Sequence, residues 1–296
     1  MEFRSGFVAI AGRPNVGKST LLNKICGEKV AITSSKPQTT RNVIKAFLTN
    51  ERFQMIFLDT PGLHAPKTKL GKFMVDAASG SLKEVDAVIL IIEATDEIPG
   101  KGNLFAIDLV KKLKIPVFLV INKIDMVQKD SLLVVISAYK DLFEFKEIIP
   151  ISAKRGEGVS ILIDALEKEL PVGPKFFPDD TFTDQPERDI AAELIREKIL
   201  ISTSDEVPHG TGVEIMTFKE RENGMIEIQA TIFCEKESHK GILIGKKGAM
   251  LKRIGTLART DLEALLGTKV FLELWIKVKP DWRNKDSMLK SLGYNN

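Results

Sequence analysis

The pattern of apolar and polar positions differs between the two halves of the chain, and the first pattern extends over residues 1–172. There, six short runs rich in β-branched and aliphatic residues are separated by longer amphipathic stretches with helical periodicity. This alternation is typical of an α/β domain with a mostly parallel sheet. The second and third runs lie close enough to pair as an antiparallel hairpin around Thr49–Glu51. The predicted strands are Phe7–Ala11, Val43–Leu48, Phe53–Leu58, Ala87–Ile92, Val117–Ile121 and Ile148–Ile151.

The second pattern begins after residues 173–186, a stretch rich in proline and acidic residues that predicts a linker. Residues 187–296 then have the order helix, strand, strand, helix, helix, strand, which predicts a separate α+β domain. The chain length also favours two domains. The predicted elements are helix Ile190–Ile201, strands Gly212–Lys219 and Met225–Cys234, helices Glu237–Ile244 and Ala249–Leu266, and strand Lys269–Val278.

Charge is unevenly distributed, although the net charge of +3 is too small to indicate a partner. Residues 181–235 carry a net charge of −7, and residues 236–296 carry a net charge of +7. A basic block of this kind is typical of a surface that meets a polyanion, although a solvated surface gives the same pattern.

Targeting and redox features favour the cytoplasm. Cys26 and Cys234 are far apart, which argues against a disulfide framework and for a reducing compartment. The first residues lack a signal-peptide pattern, and no apolar run approaches the ~20 residues of a membrane span. His64, His209 and His239 are scattered without the spacing of zinc ligands. We therefore expect a cytoplasmic protein.

The sequence G-R-P-N-V-G-K-S follows the first predicted strand and precedes a helical stretch. In that context a glycine-rich loop directs backbone N–H groups at phosphate oxygens, and the helix N-terminus adds a favourable dipole. Lys18 would reach the β- and γ-phosphates, and Ser19 would offer its hydroxyl to magnesium. The loop therefore predicts a nucleotide site of the P-loop NTPase kind. Its predicted nucleotide contacts are Gly12, Arg13, Pro14, Asn15, Val16, Gly17, Lys18, Ser19 and Thr20.

The sequence D-T-P-G follows the third predicted strand and suits a sensor of the γ-phosphate. Asp59 would hold magnesium through water, and the Gly62 N–H would meet the γ-phosphate. Alone, this motif is more often an ordinary turn at the end of a strand. Thr40 is placed to complete the magnesium site with Ser19 and Asp59, and Thr39 is the competing assignment. The remaining predicted contacts here are Thr60, Pro61 and Leu63.

Two further motifs, N-K-I-D and S-A-K, follow the fifth and sixth predicted strands and indicate recognition of guanine. Asp125 can accept both N–H donors of the guanine edge, and a site built around that carboxylate penalises a base without them. Asn122 would bond the other purine edge, the Lys123 stem would cover the ring, and the Ala153 N–H would meet O6. By itself, N-K-I-D could equally cap a helix. The predicted base site is completed by Ser152 and Lys154.

A G-x-x-G loop between two predicted helices indicates RNA binding by the second domain. In KH domains such a loop clamps the backbone of a single strand, and the bases lie along an adjoining apolar groove. A bare G-x-x-G is common between helices, but this one has two lysines at its tip, apolar residues before it and basic residues after it. Basic residues with Trp275 and Trp282 interleaved extend the surface, although both aromatics could equally be core, which we favour for Trp275. The predicted RNA contacts are Ile242, Ile244, Gly245, Lys246, Lys247, Gly248, Lys252 and Arg253.

With these motifs in this order, the chain closely resembles the bacterial Era GTPase family. The resemblance covers nearly the whole length, from G-R-P-N-V-G-K-S, Q-T-T-R, D-T-P-G, N-K-I-D and S-A-K to a KH module. It implies a G domain of the P-loop NTPase fold followed by a type-II KH domain. It also implies binding of GTP and GDP with Mg²⁺, and assistance to 30S ribosomal subunit assembly at the 3′ end of 16S ribosomal RNA. Peripheral association with the inner face of the cell membrane is attributed to the same family.

Hydrolysis of GTP is expected to be slow. Small signalling GTPases carry a water-positioning glutamine directly after D-x-x-G, where this chain has Leu63. Lys18, Thr40 and the Gly62 N–H would stabilise the transferring phosphoryl group without a side-chain base. Asn15 matches the residue that helps to coordinate a monovalent cation in potassium-activated relatives, so K⁺ is a second expected cofactor.

Two other functions stay open from the sequence. One is a nucleotide-gated RNA anchor whose hydrolysis is incidental. The other is a membrane-associated stress GTPase that uses its basic surface on lipid. In the GTPase interpretation, we expect GTP to order residues 36–41 and 60–72 of a monomeric protein.

Overall fold

The computed structural model describes the chain in two compact units. The first unit contains Met1–Pro66 and Met74–Asp184, and the second contains Lys67–Phe73 and Gln185–Asn296. The described residues are 2–34, 36–63, 66–204 and 206–294.

The described residues of the first unit form a six-stranded sheet. Its strands are β1 (Arg4–Ala11), β2 (Ile44–Thr49), β3 (Phe53–Asp59), β4 (Ala87–Glu93), β5 (Val117–Asn122) and β6 (Glu147–Pro150). They lie in the order β2-β3-β1-β4-β5-β6. Strand β2 runs antiparallel to β3, and the other neighbouring strands are parallel. The predicted α/β sheet with one antiparallel hairpin is therefore confirmed.

Helices cover both faces of this sheet, so its inner strands are buried on both sides. The helices are α1 (Lys18–Cys26), α2 (Lys69–Ser81), α3 (Lys101–Val110), α4 (Lys129–Tyr139) and α5 (Val159–Glu167). Val8 and Ile10 of β1 join a core with apolar residues of α1 and α5. Ala9 and Ala11 join a second core with residues of α2, α3 and α4. Burial on two faces explains why the strand sequences are continuous apolar runs.

The segment predicted as a linker, residues 173–186, lies along the sheet edge for most of its length. Strand β2 is an edge strand, and its unpaired backbone groups accept this segment as a partner. The Phe47 N–H donates to the Phe182 carbonyl at 3.0 Å, and the Phe177 ring stacks on Phe47 with centroids 4.1 Å apart. The buried Gln54 side chain accepts from the Phe177 N–H and donates to its carbonyl. A composition rich in proline and acids does not reveal such docking.

The described residues of the second unit form a three-stranded sheet with helices. The elements are α6 (Glu187–Ser202), β7 (Gly212–Glu220), β8 (Ile226–Cys234), α7 (Glu237–Ile244), α8 (Ala249–Leu266), β9 (Val270–Val278) and α9 (Asp286–Ser291). Strand β8 is central, antiparallel to β7 and parallel to β9. The predicted order of helices and strands is confirmed, and α9 is an addition that the sequence pattern did not indicate.

The two tryptophans of this unit differ in burial, and one of them contradicts our prediction. Trp275 lies on β9 and is 44% exposed, so its assignment to the core was wrong. Trp282 is fully buried, and its Nε1–H donates to the Gly210 carbonyl at 2.9 Å. Arg283, which belongs to the basic block of residues 236–296, forms an ion pair with Glu235 at 2.6 Å. Burial of Trp282 therefore anchors the chain after β9 instead of extending an aromatic surface.

Across the described residues, no helix combines the length and the apolar character needed to cross a membrane.

Candidate nucleotide site and nucleic-acid groove

The four predicted nucleotide motifs follow the carboxyl ends of β1, β3, β5 and β6, which lie at one edge of the parallel sheet. A cleft of about 580 Å³ opens there. It also contains Thr33, Ser34 and Gln38, which precede β2 and were not among our predicted contacts, and Thr39, the competing magnesium assignment. The predicted residues that line it are Pro14, Asn15, Gly17, Lys18, Ser19, Thr20, Thr40, Gly62, Lys123 and Lys154.

The phosphate loop between β1 and α1 has a backbone that only glycine accommodates at two positions. Gly12 has φ +153°, and a Cβ atom there would overlap the Ile91 carbonyl. Gly17 has φ +102°, and a Cβ atom there would overlap the Asn122 side chain. Close approach of two other strands therefore explains both glycines of the motif.

Lys18 is a desolvated cation at the bottom of the phosphate loop. Its side chain is buried, and Nζ donates to the Gly12 carbonyl at 3.2 Å and the Arg13 carbonyl at 3.1 Å. Burial is the main cause that lowers the pKa of Lys18 to about 8; the Asp59 charge opposes this shift and the Arg13 charge adds to it. A bound phosphate would supply the negative charge that this ammonium group lacks.

Three oxygen-bearing side chains converge where we predicted magnesium. Ser19 Oγ donates to Asp59 Oδ2 at 2.6 Å, and Thr40 Oγ1 donates to the same oxygen at 3.2 Å. The two hydroxyl oxygens are 2.9 Å apart. Thr39 Oγ1 instead donates to the Lys36 carbonyl at 2.7 Å. The geometry therefore favours Thr40 over Thr39 as the third magnesium residue.

The buried carboxylate at this point fits a hard cation. Burial raises the pKa of Asp59, while the Lys18 charge and the hydrogen bonds from Ser19 and Thr40 oppose the rise. Among the described residues, no group hydrogen-bonds to Asp59 Oδ1, which is buried. No described group of three His, Cys, Asp or Glu residues could hold a metal. Hydroxyl oxygens, one carboxylate and ligand phosphates nevertheless form a donor set that Mg²⁺ accepts.

The D-T-P-G segment crosses directly over the phosphate loop. A Cβ atom on Gly62 would lie 2.8 Å from Pro14 Cα, and the Leu63 N–H donates to the Gly12 carbonyl at 3.1 Å. Thr60 is tied to β1 by its hydroxyl, which donates to the Ile10 carbonyl at 2.8 Å. The Leu63 side chain is fully buried in the second core. Leu63 therefore fixes the backbone of this segment and cannot orient a water molecule.

Asn122 joins the base motifs to the phosphate loop. Its Nδ2–H donates to the Val16 carbonyl at 2.7 Å, and its Oδ1 accepts from the Ala153 N–H at 2.9 Å. We had assigned both Asn122 and the Ala153 N–H to the purine. In the structure the Asn122 amide is buried, and it accepts from the Ala153 N–H.

Asp125 is held ready to accept hydrogen bonds from a base. Its Oδ1 accepts from Ser152 Oγ at 2.7 Å, and this bond lowers the pKa of Asp125, with smaller contributions from the Arg155 and Lys154 charges. The carboxylate therefore stays ionised at neutral pH, which suits recognition of two N–H donors. Lys123 Nζ donates to the Asn15 carbonyl at 3.0 Å, which brings the lysine stem across the cleft wall.

Carboxylates that the sequence did not single out hold Arg13, a predicted nucleotide contact. Its Nη2 is 2.7 Å from Glu93 Oε2 and 2.9 Å from Asp96 Oδ1. Asp96 Oδ2 also accepts from the Asn103 amide at 2.9 Å. One sequence signal was available, because Glu93 is an acidic residue at the end of an otherwise apolar strand at the same sheet edge.

The second unit presents a groove of about 490 Å³ beside the G-x-x-G loop. Gly245 and Gly248 both have positive φ, and Lys246 and Lys247 are exposed between them. The groove includes Gly248 and Lys252 of our predicted contacts. Its lining does not include Ile242, Ile244, Gly245, Lys246, Lys247 or Arg253.

The remaining groove residues come from α8 and β9, and periodicity could have found them. On α8 they recur every three or four positions, and on β9 they alternate. They give the groove an apolar floor with a second cation, Arg259. The residues that sequence reasoning missed are Leu251, Gly255, Thr256, Arg259, Leu272 and Leu274.

Removal of the Thr40 hydroxyl tests the magnesium assignment. Thr40→Ala is expected to raise the Mg²⁺ concentration for half-maximal GTP hydrolysis by about tenfold or more, because one of three converging oxygens is lost. Thr39→Ala is the matched control and is expected to change it by less than about twofold. Phosphate release is measured across a magnesium titration. Equal effects of the two substitutions would contradict the assignment.

Comparisons with known proteins agree with this geometry. A protein-family model described as a 50S ribosome-binding GTPase matches residues 7–123, and one described as a KH domain matches residues 206–283. GTPase Era of Ruminiclostridium cellulolyticum is 58% identical over 294 residues, which cover 99% of this chain and 98% of the relative. GTPase Era of Geobacter metallireducens is 55% identical over 293 residues, with 99% and 98% covered.

Solved structures match at full length as well. A crystal structure of Era in complex with MgGDPNP and nucleotides 1506–1542 of 16S ribosomal RNA gives a TM-score of 0.95 at 42% identity, covering 99% of this chain and 100% of the other. A variant of Aquifex aeolicus Era bound to GDP and AlF₄⁻ gives the same TM-score, identity and coverage. Because relatives this similar span both units, the chain belongs to the Era family of GTPases.

Proposed function

We propose that this GTPase is a switch that binds the 3′ end of 16S ribosomal RNA and assists maturation of the 30S subunit. In this proposal residues 1–172 are the G domain and residues 187–296 the RNA-binding domain, in a monomeric cytoplasmic protein. The observation that carries it is the groove beside the G-x-x-G loop, with an apolar floor and the cations Lys252 and Arg259, in the same chain as a nucleotide cleft. The Era relative bound to nucleotides 1506–1542 of 16S ribosomal RNA supports it.

Hydrolysis proceeds by direct attack of water on the γ-phosphate, without a side-chain base. Lys18 stabilises charge on the β- and γ-phosphates, and the Gly62 N–H donates to the γ-phosphate. Magnesium supplies further positive charge when it is bound, and Ser19, Thr40 and Asp59 would hold it. Leu63, the residue after D-x-x-G, is buried and apolar and cannot orient the attacking water, so turnover is slow.

The switch acts through residues 36–41 and 60–72, which the γ-phosphate orders. Gln38, Thr39 and Thr40 of the first segment and Gly62 of the second line the cleft, so they are placed to respond to nucleotide. Positions 64 and 65 lie outside the described residues. Loss of the γ-phosphate frees both segments and alters the presentation of the RNA-binding domain.

Potassium is proposed as a second cofactor, held with the help of Asn15. Asn15 lines the cleft with φ of 68°, next to Pro14 and Gly17. Arg13 does not provide the positive charge of an arginine finger, because Glu93 and Asp96 engage its guanidinium. A monovalent cation beside the phosphates would supply that charge in the transition state.

Cation exchange tests the role of potassium. GTP hydrolysis is expected to be about tenfold faster or more in KCl than in NaCl at equal ionic strength, because K⁺ stabilises transition-state charge. In Asn15→Ala this difference is expected to disappear. Phosphate release at saturating GTP and Mg²⁺ is the measurement. Equal rates of GTP hydrolysis by the wild type in the two salts would contradict the proposed role of potassium.

Charge reversal in the G-x-x-G loop tests RNA binding. Lys246→Asp with Lys247→Asp is expected to lower affinity for a 16S 3′-end RNA by about tenfold or more and to flatten its salt dependence, because two phosphate contacts are lost. Lys219→Asp with Lys269→Asp makes the same change of charge at exposed positions outside the groove and is the control. Binding and RNA crosslinking are measured with GTP and with GDP.

The outcomes separate the alternatives. Unchanged crosslinks in the loop variant would overturn the proposed contact between the G-x-x-G loop and RNA. Flotation of the wild type with anionic vesicles, lost in the same variant while RNA binding persists, would favour the membrane function. RNA binding that depends on GTP but not on its hydrolysis would favour the nucleotide-gated anchor.

A further inference from the structure

Strand β4 ends in a carboxylate that bridges two cations from different nucleotide motifs. Glu93 is the last residue of β4 and lies beside Asn122 in the sheet register. Its side chain is 13% exposed. Glu93 Oε2 accepts from Arg13 Nη2 at 2.7 Å, and Glu93 Oε1 accepts from Lys123 Nζ.

The two cations extend this bridge into both halves of the site. Lys123 Nζ also donates to the Asn15 carbonyl at 3.0 Å, and Asn15 has φ of 68°. Arg13 is held a second time by Asp96 Oδ1 at 2.9 Å. One carboxylate thus contacts the second residue of the phosphate loop and, through Lys123, its fourth. Glu93 therefore connects the phosphate loop to the lysine that follows β5.

We propose that Glu93 is a positioning residue for nucleotide binding. By pairing with both Arg13 and Lys123, it fixes the Lys123 stem over the guanine before the nucleotide arrives. A lysine side chain has much rotamer freedom, and ordering it in advance removes that cost from binding. This inference rests on the proposed contact between the Lys123 stem and the base.

A second effect of the Glu93 charge has the opposite sign, which makes the inference testable. A carboxylate near the phosphate loop repels phosphates. If Glu93 acted only through its negative charge, removal of that charge would strengthen nucleotide binding. That effect would be larger for GTP than for GDP, because GTP carries more negative charge, and it would fade with salt. Loss of positioning weakens both nucleotides by the same factor, because they share the guanine.

The central experiment measures the affinities of Glu93→Gln for GDP and GTP. We expect both to fall by about tenfold, the size of effect of a lost charge-assisted hydrogen bond. The turnover number at saturating GTP is expected to change by less than about twofold, because Glu93 touches no reacting atom. Glu97→Gln makes the same substitution at an exposed position of the following loop and is expected to bind normally.

Two further variants show how Glu93 acts. Glu93→Asp keeps the charge but is one methylene shorter, so it is expected to weaken binding as well. Lys123→Met keeps an apolar stem without the ammonium group and is expected to weaken both nucleotides by itself. In the Lys123→Met background, Glu93→Gln is expected to add less than about a twofold loss, because the pair acts as a unit.

Each contrary result has a distinct meaning. Unchanged affinity of Glu93→Gln for both nucleotides would overturn the inference. Tighter binding, with a larger gain for GTP than for GDP, would also overturn it and would show that Glu93 acts only through its charge. If Glu93→Gln lowers nucleotide affinity by the full tenfold in the Lys123→Met background as well, Glu93 does not act through Lys123 and the inference is overturned. This conclusion also holds if Glu93→Gln lowers Tm. Normal nucleotide binding by Lys123→Met would show that the ammonium group of Lys123, and therefore its pairing with Glu93, does not position the stem.

Discussion

The buried side-chain amide of Asn122 is the interaction on which the nucleotide site depends. It donates to the phosphate loop at Val16 and accepts from the S-A-K loop at Ala153, while its own backbone carbonyl accepts from the Ala94 N–H at 2.7 Å. Three segments that are distant in sequence therefore meet at Asn122, at the end of β5. Because Asn122 is almost fully buried, loss of either hydrogen bond would leave an unpaired polar group in the core.

In the same site, the protein buries two side chains of opposite charge, Lys18 and Asp59. Burial lowers the pKa of Lys18 and raises the pKa of Asp59, so desolvation disfavours the ionised form of both groups. The phosphates and magnesium of the substrate complex would offset these costs, each for one of the two groups. These two buried groups are therefore complementary in charge to the ligands, and the same charges would serve binding and catalysis.

The sequence predicted the sheet and the convergence of the motifs because continuous apolar strands place their following loops at one edge. It also separated Thr40 from Thr39 in the order that the geometry favours. It missed the bridge through Glu93, since an acidic residue at a strand end carries no motif of its own. Long-range contacts of this kind depend on register between β4 and β5, which composition does not encode.

Two other differences have physical causes of the same kind. The acidic, proline-rich segment was expected to be a linker, but an open strand edge and a buried glutamine dock much of it on the first unit. Trp275 was assigned to the core, yet it lies on the exposed side of a strand at the sheet edge. Both outcomes follow from which edges and faces other elements leave uncovered.

The central claim is that Asn122 supports the phosphate loop as well as the base loops. The most direct test is the affinity of Asn122→Ala for pyrophosphate, which has no base, in competition with a fluorescent GDP. We predict that pyrophosphate and GDP both bind about tenfold more weakly or worse, while Asp125→Ala weakens GDP and leaves pyrophosphate unchanged. Unchanged pyrophosphate binding by a folded Asn122→Ala protein would contradict the account.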